Sequence, residues 1–229
     1  MEFCVDIFSL SFLTALAAIV VIDLVLAGDN AIVIAMAARK LAPEVRKKAI
    51  IWGTVGAVVV RSLMTLAVVW LLQIPGLMLA GGLLLLWIAV NLLSDEGGEK
   101  DGHPAAASFW VAMKTIVIAD AVMGLDNVLA VAGAAHGSYV LVVLGLLISV
   151  PVVVWGSSLV LKLIERFPLV IYAGAAVLAA TGAKMILSEP MLDALIDPIE
   201  HLSWIAYLAL VGCVLAAGHA MQLRSRRAS

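Results

Sequence analysis

Six polar side chains dominate the chemistry available to this chain. Asp23, Asp29 and Asn30 sit in one apolar stretch, and Asp120, Asp126 and Asn127 sit in another. The segment DLVLAGDNAIVIAMAA (23–38) aligns with DAVMGLDNVLAVAGAA (120–135) at a constant offset of 97, with identity at seven of sixteen positions. Matches between small residues, such as Ala35 with Ala132, carry little weight in apolar helices. The repeated Asp-x5-Asp-Asn core carries more, because a carboxylate at mid-bilayer costs about 2.5–3.5 kcal/mol. Four such groups require cations, protons or basic partners. Carboxylates and carboxamides are hard oxygen donors, suited to Mg²⁺, Mn²⁺ or Ca²⁺ and poorly suited to Cu(I). Zn²⁺ usually takes His or Cys, and neither lies near the motifs: His103, His136, His201 and His219 fall at loops or ends, and Cys4 and Cys213 at opposite ends of the chain. The plainer alternative is a structural network of Asn and protonated Asp joining helices by hydrogen bonds.

Two basic residues also lie within apolar stretches. Arg61 falls mid-span, too deep to reach the surface some ~15 Å away, and is expected to pair with one or more of the four Asp. Lys184 lies nearer a span end, where snorkelling competes with a role as charge partner. Four Asp with Arg61 and Lys184 sum to −2, which one divalent cation or two protons would cancel. Met123, three residues before Asp126, offers a soft thioether that would favour Mn²⁺ over Mg²⁺; with nine Met in the chain, simple gap-filling is the competing role.

The elements that must position these groups follow from composition. Of the 229 residues 64% are hydrophobic and 13% charged, with a mean hydropathy of +1.15. A soluble domain is about half apolar and about a quarter charged, so the solvent here is lipid. No basic stripe suggests nucleic acid as a partner. The N-terminal MEFCVDIF lacks a basic leader region, so the first apolar stretch reads as a retained helix. Breakers divide the chain into seven spans at about 9–38, 49–72, 75–93, 109–135, 139–161, 168–187 and 203–223. Pro75-Gly76, His136-Gly137-Ser138 and Pro168 mark three of the boundaries. The polar stretch 94–108 is a linker, and the six Trp mostly fall near span ends as interfacial anchors.

Positive charge orients the chain. Of 14 Lys and Arg, all but Arg61 and Lys184 fall in or beside loops on one face, whereas Glu2, Asp6, Glu189, Asp193, Asp197 and Glu200 fall on the other. This predicts the N-terminus outside and the C-terminus in the cytoplasm.

Each copy of the motif heads a set of three spans. The first repeat covers about 9–93 and the second about 109–187, with a fainter echo between IPGLMLAGG (74–82) and FPLVIYAGA (167–175). An odd number of spans turns the second copy upside down, a plan recurrent among secondary transporters with midplane sites. The fold expected is therefore an all-α membrane protein, one domain over 1–229, made of two inverted three-helix repeats and a seventh helix. On a straight helix Asp23 and Asn30 share a face while Asp29 points about 100° away. Span one is also about 30 residues, or ~45 Å, against a ~30 Å core. Breaks near Gly28 and Gly124 would reconcile both and free carbonyls as ligands; close helix packing is the other use of those glycines.

The segments AGDNAIVIAMAA and DAVMGLDNVLAVAGAA, in order and at this spacing, with Arg61 between them, resemble the paired signature of the TerC family, named for an association with tellurium resistance. The likeness extends over roughly residues 10–188. It implies a seven-span membrane protein of the cytoplasmic membrane, grouped with lysine-exporter-like transporters, that exports divalent metal, chiefly manganese. It also implies that Asp23, Asp29, Asn30, Asp120, Asp126 and Asn127 hold the ion. No prosthetic group, no enzymatic activity and no nucleic-acid partner is expected; the lipid bilayer is one partner, protons are candidate counter-ions, and an oligomer stays open. Export of an amino acid or other small solute is the alternative. An intramembrane aspartyl protease is a third reading, although it needs one asymmetric carboxylate pair rather than a symmetric set.

Overall fold

The computed structural model describes residues 9–71, 74–94, 105–135, 138–192 and 203–228; the side chains at 25–27, 68–69, 105–108, 126–127, 129–130 and 224–228 lie outside that description. The described chain is helical throughout: α1 (Leu10–Ala38), α2 (Pro43–Leu71), α3 (Leu77–Ser94), α4 (Ala105–Ala135), α5 (Tyr139–Arg166), α6 (Leu169–Leu187), a 3₁₀ turn (Pro190–Leu192) and α7 (Ser203–Ala228). Most of the expected linker, 95–104, is outside the described residues. Several helices overrun their apolar spans. α2 begins at Pro43 because proline suits a first helical position and Glu44 complements the helix dipole there. Ser9 and Ser138 cap α1 and α5 through the backbone N–H groups of Phe12 and Leu141. Gly76 makes the turn before α3 at φ +79°, a conformation that favours glycine.

Among the described residues, α2, α3, α5, α6 and α7 are long and apolar enough to cross a membrane, and the two halves of α1, Leu10–Leu24 and Gly28–Ala38, bent by 48°, make a sixth when counted together as one span. α4, 31 residues long, carries Lys114, Asp120 and Asp126 and includes several side chains outside the described residues. It runs as one helix through Gly124. All six Trp are exposed, along with many Leu, Ile and Val, as a lipid-facing surface requires.

The pairing of helices mirrors the sequence repeat. α1 packs most extensively on α5, α2 on α4 and α3 on α6. Exchanging α1, α2, α3 with α4, α5, α6 leaves that pattern unchanged. α7 stands apart from it and packs on α3 and α6. The α3–α6 contact is backbone to backbone: a Cβ added to Gly82 would lie 2.5 Å from the carbonyl oxygen of Gly182, and one added to Gly182 2.8 Å from that of Gly82. Small residues substitute for a hydrophobic driving force where the solvent is itself apolar. Charged caps hold α3 at both ends. The Arg39 guanidinium donates to the Leu92 carbonyl (3.0 Å) at its C-terminus. Glu189, just past α6, accepts from Gly76 N (3.0 Å) and Leu79 N (3.2 Å) at its N-terminus. Burial pushes the Glu189 carboxyl up, but the backbone N–H groups of Gly76, Leu79, Met191 and Met78 outweigh that and hold it below the usual carboxylate value.

Candidate ion site

Arg61 stands mid-way along α2, where the helix faces both motif helices. Its Nη1 donates to Asp23 Oδ1 on α1 and its Nη2 to Asp120 Oδ1 on α4. One guanidinium therefore joins the first carboxylate of each repeat. The fork geometry of arginine permits this, whereas a lysine ammonium is a single point charge. The second oxygen of Asp23 accepts from the Ser149 hydroxyl on α5. Arg61, Asp23 and Asp120 are 4%, 3% and 7% exposed, as dry as the surrounding leucines, so their pairing is a condition of burial.

The hydrogen bonding at this junction is incomplete. Asp120 Oδ2, Arg61 Nε and Asn30 Oδ1 are buried and find no protein partner among the described residues. Buried polar atoms are normally bonded; Asp120 Oδ2 and Arg61 Nε belong to the charged cluster itself, and Asn30 lies seven residues further along α1 from Asp23. Beyond the bend in α1, Asn30 is buried while Asp29 is partly exposed, and the Asp29 carboxylate accepts from Asn30 N at 2.9 Å. Asp29 lies within electrostatic reach of Arg61 and of Asp120. Gly28 is exposed, and a Cβ there would meet nothing within 4 Å among the described residues, so no close helix contact there requires the glycine. Asp23, Asp29, Asp120 and Arg61 together carry three negative charges and one positive, a formal sum of −2.

Asp126 and Asn127 lie in α4, and their side chains are outside the described residues. Met123 is buried in a core cluster with Leu85, Leu178 and Met185, where it fills apolar space. Lys184 is exposed in the last turn of α6. Among the described residues, no three of His, Cys, Asp or Glu are grouped so as to hold a metal ion by themselves. The sequence reading missed Ser149. Its one signal was Ser-Val-Pro at 149–151 in the middle of an apolar helix, where Pro151 removes a backbone donor and loosens the local ladder.

A family model for the integral membrane protein TerC family matches residues 8–228. The chain belongs to the TerC family. Among its relatives, the uncharacterized membrane protein YjbE of Bacillus subtilis is 50% identical over 182 residues, which is 80% of this chain and 83% of YjbE. The UPF0053 inner membrane protein YoaE of Escherichia coli K12 is 29% identical over 205 residues, 81% of this chain but 39% of YoaE. The UPF0053 inner membrane protein YgdQ of the same strain is 25% identical over 192 residues, 76% of this chain and 81% of YgdQ. No solved structure matches. The TerC match takes in both Asp-Asn motifs, Arg61 and Ser149.

Proposed function

We propose that this TerC protein is a secondary transporter of the inner membrane that exports divalent cations, Mn²⁺ foremost, in exchange for protons. The observation that carries the reading is the meeting of Asp23 and Asp120 on Arg61, with the second oxygen of Asp120 buried and unpartnered among the described residues and the side-chain oxygen of Asn30 likewise further along α1. A structural network would bond those oxygens. A cation site leaves them for cargo. Because few acids group closely among the described residues, the cation takes its remaining ligands from Asn30, from Asp126 and Asn127, and from carbonyls freed at the α1 bend. Arg61 serves as the built-in counter-cation of the cargo-free state and loosens from Asp120 when a divalent ion arrives. Asp23, Asp29, Asp120 and Arg61 sum to −2 and Asp126 brings the site to −3; one M²⁺ with one H⁺, or three H⁺, cancels that charge, so exchange of one M²⁺ for two H⁺ is electroneutral. The symmetric helix pairing supports two inverted repeats rocking about the α1–α4 contact. The one-sided distribution of Lys and Arg supports an N-out, C-in orientation. Oxygen donors without His or Cys favour Mn²⁺, Mg²⁺ or Ca²⁺, and among them we take Mn²⁺ as the cargo that the motif resemblance implies. A protease would need one of the paired Asp free to take a proton, and Arg61 holds both.

The test is manganese tolerance and cellular manganese content in a host lacking its own exporters. Cells expressing the intact protein should hold less manganese and tolerate more of it. Asp29→Ala and Asp126→Ala should abolish both effects at equal membrane abundance. Full protection by both variants would refute the site.

A further inference from the structure

A second site lies away from the carboxylates. A cavity of about 280 Å³ is lined by Pro43, Arg46, Lys47 and Ile50 of α2 and by Val154, Ser158 and Leu161 of α5. The spacings are those of one helical face on each side, so the cavity is a cleft running down the α2–α5 seam. Its mouth is at the polar first turns of α2 and its depth is apolar. The lining carries Arg46 and Lys47 and no acid; Glu165 beside it pairs with Arg46, leaving Lys47 as the uncompensated charge among these three.

Arg46 is held rigidly there. It donates to the carbonyls of Leu41 (3.0 Å) and Arg39 (2.8 Å) and to Glu165 (2.8 Å). Three of its five N–H groups are thereby used, and two remain. Lys47 is exposed beside it. Below the mouth, Ile50, Val154 and Leu161 line the wall. Ile51, Trp155 and Leu159, next to them in sequence, are exposed on the lipid-facing surface at 38%, 68% and 54%. A hydrated inorganic anion would have to shed water against that wall. A phospholipid meets both halves of the cleft at once, phosphate at the basic mouth and acyl chain along the apolar depth.

We propose that this cleft binds a phospholipid with an anionic headgroup, its phosphate held by Lys47 and the remaining N–H groups of Arg46. The basic residues lie where interhelical pockets recognise anionic lipid heads. The proposal does not depend on the identity of the transported ion.

The test uses the full chain in neutral detergent, titrated with phosphatidylglycerol or with phosphatidylcholine of the same acyl chains and read by native mass spectrometry. Phosphatidylglycerol should bind about tenfold more tightly, and Lys47→Gln, an exposed position that leaves the fold intact, should lower its affinity about fivefold. Ser158→Leu, which fills the cleft, should weaken both lipids. Equal affinity for the two lipids, or an unchanged phosphatidylglycerol affinity in Lys47→Gln, would overturn the proposal. So would displacement of the lipid by millimolar inorganic phosphate, which would mark a soluble-anion site, or quantitative cross-linking of two copies through Ser158→Cys, which would mark a protein interface.

Discussion

Asp23 and Asp120 occupy the same place in the two repeats, yet their surroundings differ. Asp23 is saturated: Arg61 binds one oxygen and Ser149 the other. Asp120 shares the same guanidinium but leaves its second oxygen buried and unbonded. The cause is visible in the helices that face them. α5 supplies Ser149 to Asp23, whereas the corresponding stretch of α2, residues 52–56, supplies Thr54, whose hydroxyl bonds the carbonyl of Ile50 on its own helix. Arg61 is likewise single, for the matching region of α5, residues 154–158, holds no basic residue. The two copies of the motif thus bring a matched pair of acids to one base that has no counterpart at the matching positions. A lone cation that must serve both copies has to stand between them. Its second consequence is that one copy is left with an oxygen to offer.

The harshest way to break this comparison is to remove the shared base. Arg61→Leu leaves two buried carboxylates uncompensated and should destabilise the protein by about 3–5 kcal/mol, read as a lower melting temperature and loss of monodisperse protein in detergent. Arg61→Lys should recover part of that, since one ammonium satisfies only one carboxylate well.

The asymmetry itself is tested by neutralising each acid in turn. Asp23→Asn disturbs two charge-assisted bonds and Asp120→Asn one, so Asp23→Asn should cost about 1.5–3 kcal/mol more stability. Asp120→Asn should instead act chiefly on cation affinity. Equal melting temperatures would erase the distinction drawn between the two sites.

Ser149→Ala strips Asp23 of its second partner and should cost about 1–3 kcal/mol. Thr54→Ala, at a buried position whose hydroxyl bonds only its own helix, should cost less, about 0.5–1.5 kcal/mol. A thermal-melting pair of this kind separates the repeats at a single hydroxyl.

The smallest effect lies far from the cluster. The carboxyl of Glu189 is held below its usual value by the start of α3, so its contribution is complete above the unfolded-state value and is lost as pH falls through the lower folded-state value. Amide exchange at the first turn of α3 should therefore quicken in acid, and Glu189→Gln should remove that pH dependence. An acid-insensitive exchange rate in the parent would exclude the cap as a titrating contact.

Sequence alone conveyed the helices well, because apolar runs of this length leave few alternatives and Pro75-Gly76, Ser138 and Pro168 interrupt them with turn chemistry. Boundaries erred where polar turns such as Glu44–Lys48 and Lys162–Arg166 continue a helix past its apolar run. The pairing of Arg61 was readable because an arginine at that depth has nowhere else to go. Two contacts were not. Ser149 is one hydroxyl in an apolar helix and leaves no periodic trace, and Glu189 caps a helix that begins 113 residues earlier. Lys184, weighed both as a charge partner and as a snorkelling side chain, is exposed in the last turn of α6.

Flux of Mn²⁺ into proteoliposomes, followed together with internal pH, tests the account most directly. Purified protein should carry Mn²⁺ saturably with protons moving the opposite way, and Asp120→Asn should lose that flux while lowering the melting temperature less than Asp23→Asn does. Equal manganese flux in Asp120→Asn and the parent, or flux indifferent to a pH gradient, would contradict it.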